Sequence, residues 1–173
     1  MAVIDNREQW LSDFRAGWLK TYTETGELDW PGYNLPRNSS EVAGPAIELS
    51  KARLAVISSG GFYIEGEQEP FDEPDLHGRY DIRSLPSDMP AESFAISHTH
   101  YDHSAANQDR QVLLPMAHLN EMVAASEIGE LAPEIISFMG YQPDVTRVVD
   151  ETIPAVLAAA RAMGADAALL IPA

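Results

Sequence analysis

Two short runs of apolar residues limit most strongly what this chain can fold into. Residues 52–58 form one run, which leads directly into Ser58-Ser59-Gly60-Gly61, and residues 167–171 form the other. Runs this short that lack polar alternation indicate strands covered on both faces, as in parallel sheets. Residues 94–97 are a shorter strand candidate.

Helical patterns separate these strand candidates. Residues 115–126 keep apolar side chains at helical spacing, and residues 152–163 have Pro154 early and Gly164 directly after the end. Strands that alternate with helices predict an α/β fold, with a mostly parallel sheet and helices on both faces, Rossmann-like or flavodoxin-like. A length of 173 residues suits a single domain.

The N-terminal residues follow another pattern. Large apolar side chains recur at helical spacing, namely Trp10, Leu11, Phe14, Trp18, Leu19 and Tyr22. Gly26 is suited to end this helix, and residues 29–45, with three prolines and two glycines, predict an extended arm. We therefore divide the chain into a helix and arm, residues 1–44, and an α/β domain, residues 45–173. We expect the aromatic stripe to pack on its own chain rather than on a partner.

Charge and cysteine content exclude several classes of function. Eleven basic and 27 acidic residues give a net charge of −16, which repels nucleic acids and anionic membrane surfaces. The chain has no cysteine, so it holds no disulfide, thiolate metal site or thiol nucleophile. It shows neither a signal-peptide pattern nor an apolar run long enough for a membrane span. We expect a cytoplasmic protein with no nucleic-acid or membrane partner.

The segment with the most chemical potential is Ser97-His98-Thr99-His100-Tyr101-Asp102-His103, which holds three of the five histidines. Alternation after a strand would place His98 and His100 on the same side. Imidazoles ligate metals, transfer protons near neutral pH and bind anions. We assign candidate catalytic roles to His98, His100, Tyr101, Asp102 and His103.

These five side chains have different predicted roles. The three histidines are candidate acid–base or anion-binding groups, Asp102 would orient a histidine, and Tyr101 would be a secondary donor. Ser59, Gly60 and Gly61 follow a predicted strand, where open α/β sheets place ligands. We expect these three residues to bind substrate through backbone N–H groups.

The spacing His-x-His-x-Asp-His at residues 98–103 resembles the dinuclear metal motif of metallo-β-lactamase-fold hydrolases. That resemblance implies a metal-dependent hydrolase in which His98, His100 and His103 are transition-metal ligands. It covers one motif only, and the further downstream histidine of those enzymes is missing, because no histidine follows His118.

A wider set of motifs occurs in order along residues 45–173. They are residues 54–61, 70–72, 82–86, 97–103, 128–133, 137–141 and 164–172. Together they resemble component B of the glycine/sarcosine/betaine/D-proline reductase family. The resemblance implies reductive cleavage of a carbon–nitrogen bond in glycine, sarcosine, betaine, D-proline or a related small molecule.

The resemblance also implies groups that this chain does not contain. A selenocysteine, or a cysteine in its place, is expected just beyond Ala173 as nucleophile and redox centre. Family members work with pyruvoyl-type partner subunits and thiol electron donors, and we expect a homo-oligomer.

We expect the chain to be C-terminally incomplete and inactive alone in the family's redox chemistry. An in-frame UGA codon read as a stop is the explanation we favour; deliberate shortening and natural loss are the alternatives. A metal-dependent hydrolase and a non-catalytic binding subunit are the alternative functions.

Overall fold

The computed structural model describes residues 4–40, 44, 46–71 and 76–173. Its strands are β1 (Arg53–Ser58), β2 (Phe62–Tyr63), β3 (Arg83–Pro86), β4 (Ala95–Ile96), β5 (Glu130–Ser137) and β6 (Ala167–Ile171). Its α-helices are α1 (Arg7–Phe14), α2 (Lys20–Thr25), α3 (Ser104–Gln108), α4 (Met116–Ala124), α5 (Val145–Arg147) and α6 (Ile153–Ala162). The segments Arg15–Leu19 and Val148–Thr152 are π-helical, and short 3₁₀ turns occur at Trp30–Gly32, Leu49–Lys51, Ala91–Ser93 and Arg110–Val112.

A four-stranded mixed sheet in the order β3-β5-β1-β6 forms the centre of the fold. β1 pairs in parallel with β5 and β6, whereas the edge strand β3 runs antiparallel to β5. The prediction of an α/β fold with a mostly parallel sheet is confirmed. Cover by helices on both faces, and the narrower Rossmann-like or flavodoxin-like assignment, stay predictions.

β1 is apolar from Leu54 to Ile57 because both of its faces are buried there. Leu54 and Val56 belong to the main core, with α4 and the fully buried Leu114 and Ile135. Ala55 and Ile57, which alternate with them, are also buried. The predicted strand at residues 52–58 is therefore confirmed, and so is the one at residues 167–171, which is β6.

Two strands differ from the sequence expectation. The predicted strand at residues 94–97 is the short β4, which pairs with β2 in a separate two-stranded antiparallel sheet. β5, a central strand, was not predicted because Pro133 interrupts it. The pairing of β1 with β5 shifts register between Leu54 and Val56, opposite residues 131–135, and an irregularity of this kind accommodates a proline that lacks a ladder donor.

The predicted N-terminal helix is confirmed as α1, a π-helical segment and α2, and Gly26, at a φ of 71°, ends it. Phe14, Trp18 and Tyr22 are buried in a second cluster. Their rings stack in sequence, with centroids 5.6 Å and 5.2 Å apart. The indole N–H of Trp18 donates to the backbone carbonyl of Asp29, so the stripe packs on its own arm as predicted.

The arm itself is described only in part. Within it the structure shows the turn at Trp30–Gly32, and residues 41–43 and 45 lie outside the described residues. The division into residues 1–44 and 45–173 stays a prediction. Asp72 of the motif at residues 70–72 also lies outside the described part of the chain. Among the described residues, no helix combines the length and the apolar character that a membrane crossing requires.

The turn after β1 gives the first testable prediction. Gly61 has a φ of 70°, and a Cβ there would lie 2.5 Å from the carbonyl oxygen of Ser97. Gly66 has a φ of 83°, but a Cβ there would meet nothing within 4 Å. We expect Gly66→Ala to cost about 1 kcal/mol from its backbone conformation alone. Gly61→Ala should cost about 3 kcal/mol, because the backbone at Ser97 must also move.

Urea unfolding of the two variants against the parent chain measures this difference. Equal losses for both variants would show that the close approach between Gly61 and Ser97 is not a tight constraint.

Candidate functional site

The carboxyl ends of β1, β5 and β6 meet at one cleft of about 410 Å³. This edge of a parallel sheet is where α/β proteins place ligands. The cleft is lined by Ser59, His98, His100, Tyr101, Phe138, Gly140, Tyr141, Pro172 and Ala173. It therefore combines the residues that follow all three strands with part of the histidine segment.

Hydrogen bonds to Ser59 hold the three strand ends together. Its backbone N–H donates to the carbonyl of Ile171, 3.1 Å away, and its carbonyl accepts from Gly140, 3.0 Å away. Its Oγ accepts from the backbone N–H of Ala173 at 2.8 Å. One residue after β1 is thus bonded to the segments after both neighbouring strands.

His98 is buried, with 5% of its surface exposed. Its Nδ1 accepts a hydrogen bond from the backbone N–H of His100 at 3.2 Å, so in the neutral imidazole the proton is on Nε2. A Cβ on Gly140 would lie only 3.3 Å from that Nε2 and 3.2 Å from the Oγ of Ser59. Gly140 therefore leaves room for both polar atoms at the cleft wall.

His100 is exposed and lies flat against Tyr141, with ring centroids 3.5 Å apart and planes 5° apart. Its ring centroid is 6.0 Å from that of His98. The structure thus brings these two histidines to the same cleft, as their spacing suggested. It does so through a turn after β4 rather than through strand alternation.

Tyr101 is half-buried, and its hydroxyl donates to the carbonyl of Gly60 at 3.0 Å. Burial raises the pKa of Tyr101 to about 12, although the charge of Arg110 opposes this. The hydroxyl is therefore neutral near pH 7, and its one proton is committed to the protein backbone.

Asp102 and His103 do not line the cleft. The carboxylate of Asp102 is exposed and accepts from the backbone N–H and the hydroxyl of Ser104, both at 2.9 Å. These hydrogen bonds, and then the charge of His103, lower the pKa of Asp102. Its described hydrogen bonds thus stabilise the start of α3, and the role of Asp102 in orienting a histidine stays a prediction. The Nε2 of His103 donates to the backbone carbonyl of His98.

The glycine turn was predicted to bind substrate through backbone N–H groups, and this role stays a prediction. The backbone N–H groups of Ser59, Gly60 and Gly61 donate to Ile171, to the Oγ of Ser58 and to Phe138, respectively. All three donors are therefore used within the protein. Of these residues only Ser59 lines the cleft.

The predicted ligands of a transition metal are not brought to one point. His98 and His100 line the cleft, whereas the Nε2 of His103 is bonded to a backbone carbonyl. Within the described ranges, no three histidine, aspartate or glutamate side chains are placed to hold a metal ion. The transition-metal site of the hydrolase alternative stays a prediction.

Sequence reasoning missed the cleft residues that follow β5, which are Phe138, Gly140 and Tyr141. They had been assigned no role, because Pro133 concealed the strand before them. The buried pair Ile135-Ile136, followed within a few residues by a glycine, was the available signal.

The raised pKa of Tyr101 gives a second prediction. In a spectrophotometric titration, the parent chain should show a tyrosine that ionises near pH 12 and is missing from Tyr101→Phe. The unfolded chain ionises near the ordinary pKa of about 10. Tyr101 therefore contributes stability below pH 10, which is lost as the pH rises toward 12.

The variant should also lose about 1 kcal/mol at neutral pH, the value of the hydrogen bond to Gly60. Ionisation of Tyr101 at an ordinary pKa would contradict the burial of its hydroxyl.

Comparison with known proteins relates this site to one family. The family described as glycine/sarcosine/betaine reductase selenoprotein B matches residues 30–167. The glycine reductase complex component B subunit gamma of Carboxydothermus hydrogenoformans is 32% identical over 156 residues, which are 88% of this chain and 34% of that protein. The betaine reductase complex component B subunit beta of Peptoclostridium acidaminophilum is 29% identical over 108 residues, 58% of this chain and 23% of that protein.

The chain thus spans about a third or less of the length of these relatives. No solved structure matches it. The match over most of the chain, at residues that include the whole histidine segment, shows that the protein belongs to the glycine/sarcosine/betaine reductase selenoprotein B family.

Proposed function

We propose that this chain provides the substrate-binding cleft of a component B reductase that cleaves a carbon–nitrogen bond. Its substrate would be glycine, sarcosine, betaine, D-proline or a related small molecule. The observation that carries the proposal is the convergence of His98, His100 and Ser59 at the carboxyl ends of three parallel strands. Family membership and the named relatives support the reaction class.

The cleft suits the two ends of such a substrate. Amino acids and their derivatives carry a carboxylate, which needs N–H or O–H donors. Nε2 of His98, the ring of His100 and the hydroxyl of Ser59 are donors of this kind. A leaving amine needs a proton, and imidazole supplies protons near neutral pH. Among the residues that the structure describes, none of the side chains that line the cleft is acidic.

The redox centre would come from outside these 173 residues. Reductive cleavage needs a nucleophile that is also oxidised and reduced reversibly, and a selenolate or thiolate meets both needs. The chain contains no cysteine, so the proposed selenocysteine or cysteine has to be supplied by other residues.

Partners and location are further proposals. The relatives are named as subunits of reductase complexes, which supports an assembly with other polypeptides. We propose a pyruvoyl-type partner subunit, a thiol electron donor and a homo-oligomeric state. Cytoplasmic location stays a prediction.

Ligand binding tests the cleft directly. Titration calorimetry of the parent chain with glycine, sarcosine, glycine betaine and D-proline should reveal binding of at least one. For that compound, His100→Ala should raise Kd about tenfold or more, since a hydrogen bond to a charged group is lost. His118→Ala is the matched control, because His118 lies exposed on α4 and outside the cleft.

Two outcomes would overturn the proposal. One is that none of the four compounds binds, and the other is that His118→Ala and His100→Ala weaken binding equally.

The missing redox residue gives a further prediction. The purified chain, supplied with a dithiol and any of the four compounds, should release neither ammonia nor amine, since it holds no thiol or selenol. Turnover by the chain alone would show that its own residues complete the reaction.

Metal analysis separates this proposal from the hydrolase alternative. About one or two transition ions per chain, lost in the His98→Ala/His100→Ala double variant, would favour a metal-dependent hydrolase. A stable complex with another polypeptide that forms equally well without these histidines would favour a binding subunit.

A further inference from the structure

A continuous line of contacts joins the N-terminal helix to the cleft. The hydroxyl of Tyr22 in α2 lies 2.6 Å from the hydroxyl of Tyr141. The ring of Tyr141 stacks on His100 with centroids 3.5 Å apart. Tyr22 precedes His100 by 78 positions in the sequence, and a single residue, Tyr141, connects the two in space.

A second hydrogen bond of Tyr22 indicates the direction of the hydrogen bond between the two tyrosines. Its hydroxyl also lies 2.7 Å from the backbone carbonyl of Leu76, which only accepts. The single proton of Tyr22 therefore goes to Leu76, and Tyr141 must donate to the oxygen of Tyr22. Tyr22 is thus the acceptor that fixes the hydroxyl end of Tyr141.

The two ends of this line differ in their surroundings. Tyr22 is 2% exposed, and its ring stacks on Trp18 with centroids 5.2 Å apart. His100 is exposed and lies in a turn. An exposed side chain in a turn loses rotamer freedom only if something holds it. The stacked Tyr141 ring holds one face of His100, and the hydroxyl of Thr99 lies 3.1 Å from its Nδ1. The buried aromatic cluster is therefore the fixed end, and His100 is the end that is held.

We propose that Tyr22 and Tyr141 are positioning residues that hold the ring of His100 at the cleft. Tyr22 lies ahead of residues 30–167, the part matched by the family. The N-terminal helix would thus belong to the support of the site as well as to its own cluster. The consequence for ligand affinity rests on the proposed function, whereas the positioning itself does not.

NMR of the ligand-free chain tests the positioning. The stacked Tyr141 ring shifts the His100 ring protons upfield, and a His100→Gln spectrum identifies those resonances. Tyr22→Phe keeps every ring but removes the acceptor of Tyr141 and the donor to Leu76. The His100 protons should then move toward unstacked values. Tyr141→Phe keeps the ring but removes the same hydrogen bond from the other side, so it should move the His100 protons in the same direction.

Tyr33→Phe is the matched control. Tyr33 contacts Phe14 and Trp18 edge-on in the same cluster but is not in the line to Tyr141. It should leave the His100 resonances in place. Tyr141→Leu provides a second measurement that needs no ring current: the three-bond couplings of His100 should change from one χ1 rotamer to an average.

Positioning is overturned if Tyr22→Phe affects His100 no more than Tyr33→Phe, or if His100 keeps one rotamer in Tyr141→Leu. For a compound that the parent chain binds, Tyr141→Leu should raise Kd by about the same factor as His100→Ala, without a further rise in the double variant. Additive losses would overturn an action through His100. Absence of binding by the parent chain would refute the proposed function and leave the NMR result intact.

Discussion

The hydrogen bonds around Ser59 are the constraint on which the site depends. Ser59 is the first residue after the central strand β1. It bonds to Ile171, the last residue of one neighbouring strand, and to Gly140, which follows the other. Each parallel strand alone would only end at the same edge of the sheet. Because one residue is bonded to both sides, the three ends form a single wall, against which the histidine segment packs. The wall of the cleft is therefore formed by the strand ends of the sheet, and the histidine segment packs against it.

The net charge of the chain disfavours the approach of a carboxylate, whereas the cleft offers hydrogen-bond donors to one. A net charge of −16 repels a carboxylate at long range, but salt screens this repulsion beyond about 8 Å at physiological ionic strength. At contact distance, a ligand meets the hydrogen-bond donors of His98, His100 and Ser59, and none of the lining residues that the structure describes has an acidic side chain. The acidic surface thus bears on which macromolecules approach, whereas small zwitterions respond to the local donors.

Sequence reasoning succeeded where local pattern and tertiary environment agree. β1 and β6 were predictable because burial on both faces requires continuous apolar runs, and the N-terminal helix because its aromatic residues share one face. β5 was hidden by Pro133, which a central strand tolerates only through a change in register with β1. The meeting of His100 with Tyr141 and Tyr22 depends on long-range packing, for which no local spacing gives a signal.

Two residues of the histidine segment, His98 and His100, line the cleft, and two others, Asp102 and His103, shape the turn. Asp102 bonds to Ser104 at the start of α3, and His103 bonds to the backbone of His98, so both shape the turn. The segment therefore cannot orient its own exposed ring through a carboxylate. His98 is oriented by the backbone of His100, and His100 by Tyr141 from the end of β5. In this structure, the spacing of histidines and aspartate builds a turn that presents the rings of His98 and His100 at the cleft.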